Sequence, residues 1–182
     1  IRPLIDLKLQ DGVDRMVSIA TQVSDLVLEF GGAMSGEHGD GLVRSVWNEK
    51  MFGPQLYDAF RDVKRAFDPK GIMNPGKIVD PPPMTENLRT GPSYSTVEYK
   101  SGFAFAQEGS FASALEMCNG QGACRKLGGT MCPSYMATRD EEHSPRGRAN
   151  ALRAAMSGAL PPDMLSSKAM HDVLDLCLEC KG

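Results

Sequence analysis

The residues able to do chemistry fall into two groups. Five cysteines, Cys118, Cys124, Cys132, Cys177 and Cys180, all lie in the last part of the chain. An odd number without a visible secretion signal argues against a disulfide framework and for metal or redox chemistry. Cys118 and Cys124 have the separation of the first and third cysteines in the C-x2-C-x2-C-x3-C-P run that ligates iron–sulfur clusters, and Gln121 stands where the second would be. Cys132-Pro133 supplies a Cys-Pro element after a longer gap, and Cys177-x2-Cys180 opens a second run. Closely spaced thiolates on a tight loop can wrap several irons, and a distant segment supplies the remaining ligand. A C-x2-C pair also suits tetrahedral zinc, and buried structural cysteines are a third reading. The second group is the loop SGEHGDG, which sets Glu37 beside His38 among Gly36, Gly39 and Gly41. An acid next to a histidine can polarise and deprotonate a substrate hydroxyl. The same pair in a glycine turn also occurs as a plain solvated loop.

These groups must be positioned by helices. Val13, Met16, Val17, Ala20, Val23, Leu26, Val27 and Phe30 recur at helical spacing, and Gly31-Gly32 follows. A second amphipathic run carries Leu56, Ala59, Phe60, Val63 and Phe67, and Asp68-Pro69 should stop it. Residues 80–95 hold four prolines and little periodicity, a linker composition. The alternation of Val97, Tyr99, Phe103 and Phe105 predicts one or two short strands. Beyond Ser110 the pattern predicts helices separated by cysteine loops. Ser144-Pro145 should cap one that runs to Gly158. Another should follow Pro161-Pro162, with Met170, Val173, Leu174 and Cys177 on one face. The expected fold is mainly α with short strands, divided into 1–79, a linker of 80–109, and 110–182.

Bulk properties narrow the function. A net charge of -3 gives no reason to expect nucleic acid or an anionic membrane as partner. No apolar run approaches the roughly 20 residues that span a bilayer. A cytoplasmic setting is expected, with a peripheral place at the inner membrane as the alternative. The opening IRPLID reads like the middle of a strand, and the chain stops two residues after Cys180, so both ends are expected to be cuts.

The stretch GGAMSGEHGDGLVRSVWNEKMFGPQLYDAFRDVKRAFDPKGIMNPGKIVD closely resembles the C-terminal end of FAD-linked oxidases. These are the vanillyl-alcohol-oxidase-like flavoproteins, in the branch with D-lactate, glycolate and D-2-hydroxyglutarate dehydrogenases. The stretch MCNGQGACRKLGGTMCPSYMATRDEEHSPRGRANALRAA resembles the dicluster iron–sulfur domain of glycolate oxidase-like proteins. The resemblance implies a C-terminal piece of an α+β oxidase cap domain at 1–79, joined to the N-terminal part of a helical ferredoxin-like 4Fe-4S domain at 110–182. A partly exposed apolar face on the first helix is then expected, because most of the cap sheet would lie elsewhere.

By the same resemblance, Glu37 would ligate a divalent metal, often zinc, and His38 would be the base for the substrate hydroxyl. Asn74 would lie close to the flavin, and Lys77 would be surface charge. Cys118 and Cys124 would belong to one cluster. Cys177 and Cys180 would hold another, with Cys132 as crossing ligand. Gln121 departs from the family run, which suggests a non-cysteine ligand or a labile or three-iron cluster. Arg146 and Arg148, at a helix start after the first run, read as surface helix arginines, the alternative being hydrogen bonds near a cluster that raise its potential; His143 and His171 read as structural. The implied activity is oxidation of a 2-hydroxy acid through FAD, with electrons leaving by 4Fe-4S clusters to a quinone or another carrier. FAD-binding and further metal ligands would lie upstream, so the fragment is expected to be inactive alone. The competing reading is a zinc-stabilised interaction module beside an inactive oxidase remnant.

Overall fold

The computed structural model describes residues 3–129 and 131–180. The backbone divides into two compact units, residues 1–93 and 94–182. All regular structure among the described residues is helical.

The first unit is built on α1 (Gln10–Glu29), α2 (Asn48–Phe52) and α3 (Pro54–Phe67). Helix α1 follows the predicted periodicity and stops where expected, with Gly32 N–H donating back to Val27 O at 2.8 Å. Pro54 opens α3, where its missing N–H costs no helical bond. Asp68 ends α3 and is buried; its carboxylate accepts from Lys64 and from the backbone amides of Ile72 and Met73, both at 2.9 Å. This draws the carboxyl down to about 2, chiefly through Lys64 and with help from the two amides. The core is small: Val13, Tyr57 and Val79, with buried Ser24, Ser45 and Asn48. Meanwhile Val23 and Leu26 on α1, Phe30 at its C-cap, and Val63 and Phe67 on α3 are exposed. The apolar face expected on the first helix is therefore present.

The second unit contains α4 (Phe111–Glu116), α5 (Pro133–Thr138), α6 (Pro145–Met156) and α7 (Lys168–Asp175). Helix α6 is its centre and packs against both α4 and α7. Met156 and Met170, 1% and 3% exposed, are the best-shielded large apolar side chains here. Ser144 caps α6 as predicted, accepting from Gly147 N–H at 2.9 Å.

Two expectations are corrected. No strand occurs among the described residues. Residues 3–6 are irregular, and the first two residues of IRPLID lie outside the described part. In the 95–106 stretch, Val97 N–H donates to Met156 O at 2.9 Å. A strand needs a neighbouring strand for its backbone groups; this segment finds a helix end instead. Its aromatic rings cluster, with Phe105 5.4 Å from Phe111 and 6.2 Å from Phe103. The second correction concerns Cys177. A 3-10 turn, Pro162–Ser166, precedes the last helix, which Ser167 caps afresh, and α7 ends at Asp175. Cys177 thus lies beyond the helix rather than on its face.

Candidate functional site

Each unit holds one group of candidate residues. In the first, the glycine loop bends through Gly39 and Gly41 at φ 70° and 60°, a region costly for residues with a Cβ. The bend brings backbone carbonyls inward: Arg44 Nη1 donates to Gly39 O, and Ser45 Oγ donates to Gly41 O. Above this base, His38 Nε2 lies 2.9 Å from Glu37 Oε1, both side chains being largely exposed. Glu37, His38 and Arg44 line one cavity of about 240 Å³ with Met34, Ser35 and Gly36. Ser35 Oγ is buried without a hydrogen-bond partner. Among the described residues no third His, Cys, Asp or Glu joins Glu37 and His38 as a metal-binding group.

Asn74 does not line that cavity. It sits exposed on a turn at φ 48°, accepting from Lys77 Nζ at 3.4 Å. The segment carrying it is nevertheless clamped to the glycine loop. Ser45 Oγ accepts from Ile78 N–H at 3.0 Å, Asn48 Nδ2 donates to Ile78 O at 3.0 Å and to Asp40 at 3.3 Å, and Tyr57 OH accepts from Asp80 N–H at 2.9 Å. Sequence reasoning missed Ser45, Asn48, Tyr57 and Arg44. Buried polar groups must find partners, but the partners here are backbone groups that no spacing rule singles out.

In the second unit, Cys132, Cys177 and Cys180 line one cavity of about 190 Å³, together with Arg148, Pro133 and Pro145. Two side chains create this meeting. Ser134 Oγ donates to Leu176 O, and Arg148 Nε donates to Val173 O at 3.1 Å. Both seize the end of α7 and deliver Cys177 beside Cys132. Cys132 itself holds φ 51° directly before Pro133, where extended backbone is the norm. It is buried, donates to His143 O at 3.2 Å and lies 3.7 Å from Arg148 Nη1; Cys177 and Cys180 are exposed. All five cysteines are free thiols.

Cys118 and Cys124 flank a separate loop. Asn119 Oδ1 accepts from Gln121 N–H at 2.9 Å, leaving the Gln121 side chain exposed. Arg146 Nη1 donates to Gly120 O at 2.9 Å while its Nε and Nη2 grip Glu141 at 2.7 and 2.9 Å. Its guanidinium holds its proton more tightly than usual, first because of Glu141 and further because of Cys124 and Cys118 nearby. Neither arginine is therefore the plain surface residue expected. Arg146 braces the first cysteine loop and Arg148 is only 7% exposed. His143 is held through Thr138 at 2.9 Å, a structural role, whereas His171 stands exposed beside Asp172 and Asp175.

Residues 1–78 match the family model for FAD linked oxidases, C-terminal domain. A D-2-hydroxyglutarate dehydrogenase from Pantoea ananatis is 32% identical over 182 residues, which is 97% of this chain and 18% of that protein. One from Pseudomonas putida is 38% identical over 162 residues, 84% of this chain and 15% of that protein. A D-lactate dehydrogenase from Archaeoglobus fulgidus is 46% identical over 54 residues, 30% of this chain and 12% of that protein. The chain thus spans less than a fifth of the length of these curated relatives. No solved structure matches it. Through residues 1–78, which carry that C-terminal domain with the Glu37–His38 loop and the Asn74 turn, the chain belongs to the FAD-linked oxidase family.

Proposed function

We propose that this chain is part of a flavin- and iron–sulfur-dependent oxidoreductase that oxidises a 2-hydroxy acid and passes the electrons to a quinone or another carrier. The observation that carries the reading is the convergence of Cys132, Cys177 and Cys180 on one cavity, in a chain whose first 78 residues match the C-terminal domain of FAD-linked oxidases. Relatives named D-2-hydroxyglutarate dehydrogenase that align across both units support the substrate class.

His38 acts as the base for the substrate hydroxyl. Glu37 Oε1, 2.9 Å from His38 Nε2, stabilises the imidazolium that forms when His38 takes the hydroxyl proton. Arg44, on the same cavity, holds the substrate carboxylate. Bound FAD would accept the hydride and release electrons singly, and Asn74 is the residue of this chain assigned to face it. Glu37 would supply one ligand to a divalent metal whose remaining ligands the family resemblance places upstream of these residues.

The cysteine donor set fits iron–sulfur chemistry. Three free thiols line one cavity, and among the described residues no group of three His, Cys, Asp or Glu side chains is already closed around a metal ion. Cys118 and Cys124 supply two ligands for a first cluster, braced by Arg146. Anaerobic reconstitution with iron and sulfide tests the assignment. Broad visible sulfide-to-iron absorption that is reduced in Cys132→Ser supports it. Colourless protein with stoichiometric zinc would favour a zinc-stabilised interaction module.

A further inference from the structure

We propose that Arg148 is a positioning residue for the cluster at Cys132, Cys177 and Cys180: its guanidinium donates hydrogen bonds to sulfur there and offsets the site's negative charge. This rests on the iron–sulfur reading of the site. Arg148 sits one turn into α6 and is 7% exposed, so its charge has lost most of its water. A buried cation is costly unless paired and hydrogen-bonded. Yet among the described residues no carboxylate pairs with Arg148. Glu179 lines the same cavity but is exposed and makes no ion pair with it.

The three nitrogens of the guanidinium are used unequally. Nε donates to Val173 O at 3.1 Å, which fixes the plane of the group. Nη1 points at Cys132 Sγ, 3.7 Å away. Nη2 is buried and has no hydrogen-bond partner at all. Since Arg148 borders the cavity that the three cysteines share, the spare donor and the unbalanced charge belong to one unfilled requirement. Thiolates and inorganic sulfide meet it, because together they bring excess negative charge and sulfur acceptors. Hydrogen bonds and positive charge beside cluster sulfurs stabilise the reduced form and raise its potential. Arginine suits the task better than lysine, since its rigid fork can serve Val173 and sulfur at once.

The test uses the whole chain, reconstituted anaerobically with iron and sulfide, with Cys118 and Cys124 replaced by serine so that one site is read. Iron content and visible absorption report occupancy, and an EPR-monitored titration reports the potential. Arg148→Gln is expected to retain iron while its potential moves negative, and Arg148→Lys, which keeps the charge, to fall between Gln and wild type. Should Arg148→Gln fail to fold, as judged by helical circular dichroism, Arg148→Lys alone decides. Occupied sites with unchanged potential in the variants would overturn the role of Arg148. Failure of the parent protein to take up iron and sulfide would instead overturn the cluster reading.

Discussion

The side-chain amide of Asn48 donates to the main-chain oxygen of Ile78, 30 residues away, at 3.0 Å. Asn48 is 1% exposed and Ser45, beside it, receives the N–H of the same Ile78. Both backbone groups of one residue on the Asn74 segment are thus consumed by side chains just after the glycine loop. Asn48→Ala would remove a part-buried hydrogen bond to the Ile78 carbonyl, which costs about 1 kcal/mol. Urea unfolding should show that loss, and tryptophan fluorescence at adjacent Trp47 should report it locally.

Asp68 makes stability depend on acid. Its folded value of about 2 lies below the ordinary 3.8, so the folded chain binds that proton less readily than the unfolded chain does. The contribution is fully present above about pH 4 and is lost as pH falls through about 2. Unfolding midpoints measured down this range should decline in the parent chain, and the Asp68 share of that decline should vanish in Asp68→Asn.

Gly147 lies in the first turn of α6, and a Cβ there would meet Glu141 O at 2.0 Å. That oxygen is backbone and cannot swing aside. Gly147→Ala should therefore destabilise the second unit by roughly 2–3 kcal/mol, and it should loosen the Glu141–Arg146 grip behind Cys118 and Cys124. Thermal melts followed by circular dichroism would show this, and faster labelling of Cys124 by a thiol reagent would show the loosening.

In the complete flavoprotein, His38→Ala should slow flavin reduction by substrate about 10²–10⁴-fold, the range for loss of a general base. Arg44→Gln should chiefly raise KM. Stopped-flow absorbance of the flavin separates the two, and normal reduction in His38→Ala would remove that residue from the chemistry.

Much of the fold was legible because its signals are local. Helix α1 and helix α3 followed from apolar spacing, and the start of α6 followed from Ser144-Pro145. The strands predicted around Val97 to Phe105 failed for a different reason. Alternation specifies a face, but a strand also needs a partner, and Val97 found the end of α6. Cys177 was placed on a helix face by periodicity, whereas the cap at Ser167 restarts the helix and releases Cys177 beyond its end.

By itself the sequence determined which residues could do chemistry here: a Glu37–His38 pair in a glycine turn and five cysteines in two interrupted runs. Residue type and spacing suffice for that, because thiolate and imidazole chemistry is intrinsic to the side chain. Only the tertiary structure decided which of them meet. Cys132 shares a cavity with Cys177 and Cys180 because Ser134 and Arg148 hold backbone oxygens at the end of α7. It also decided that Arg148 is buried against sulfur rather than solvated. Those outcomes depend on contacts between segments far apart in the chain, where burial turns an ordinary arginine into an unbalanced charge.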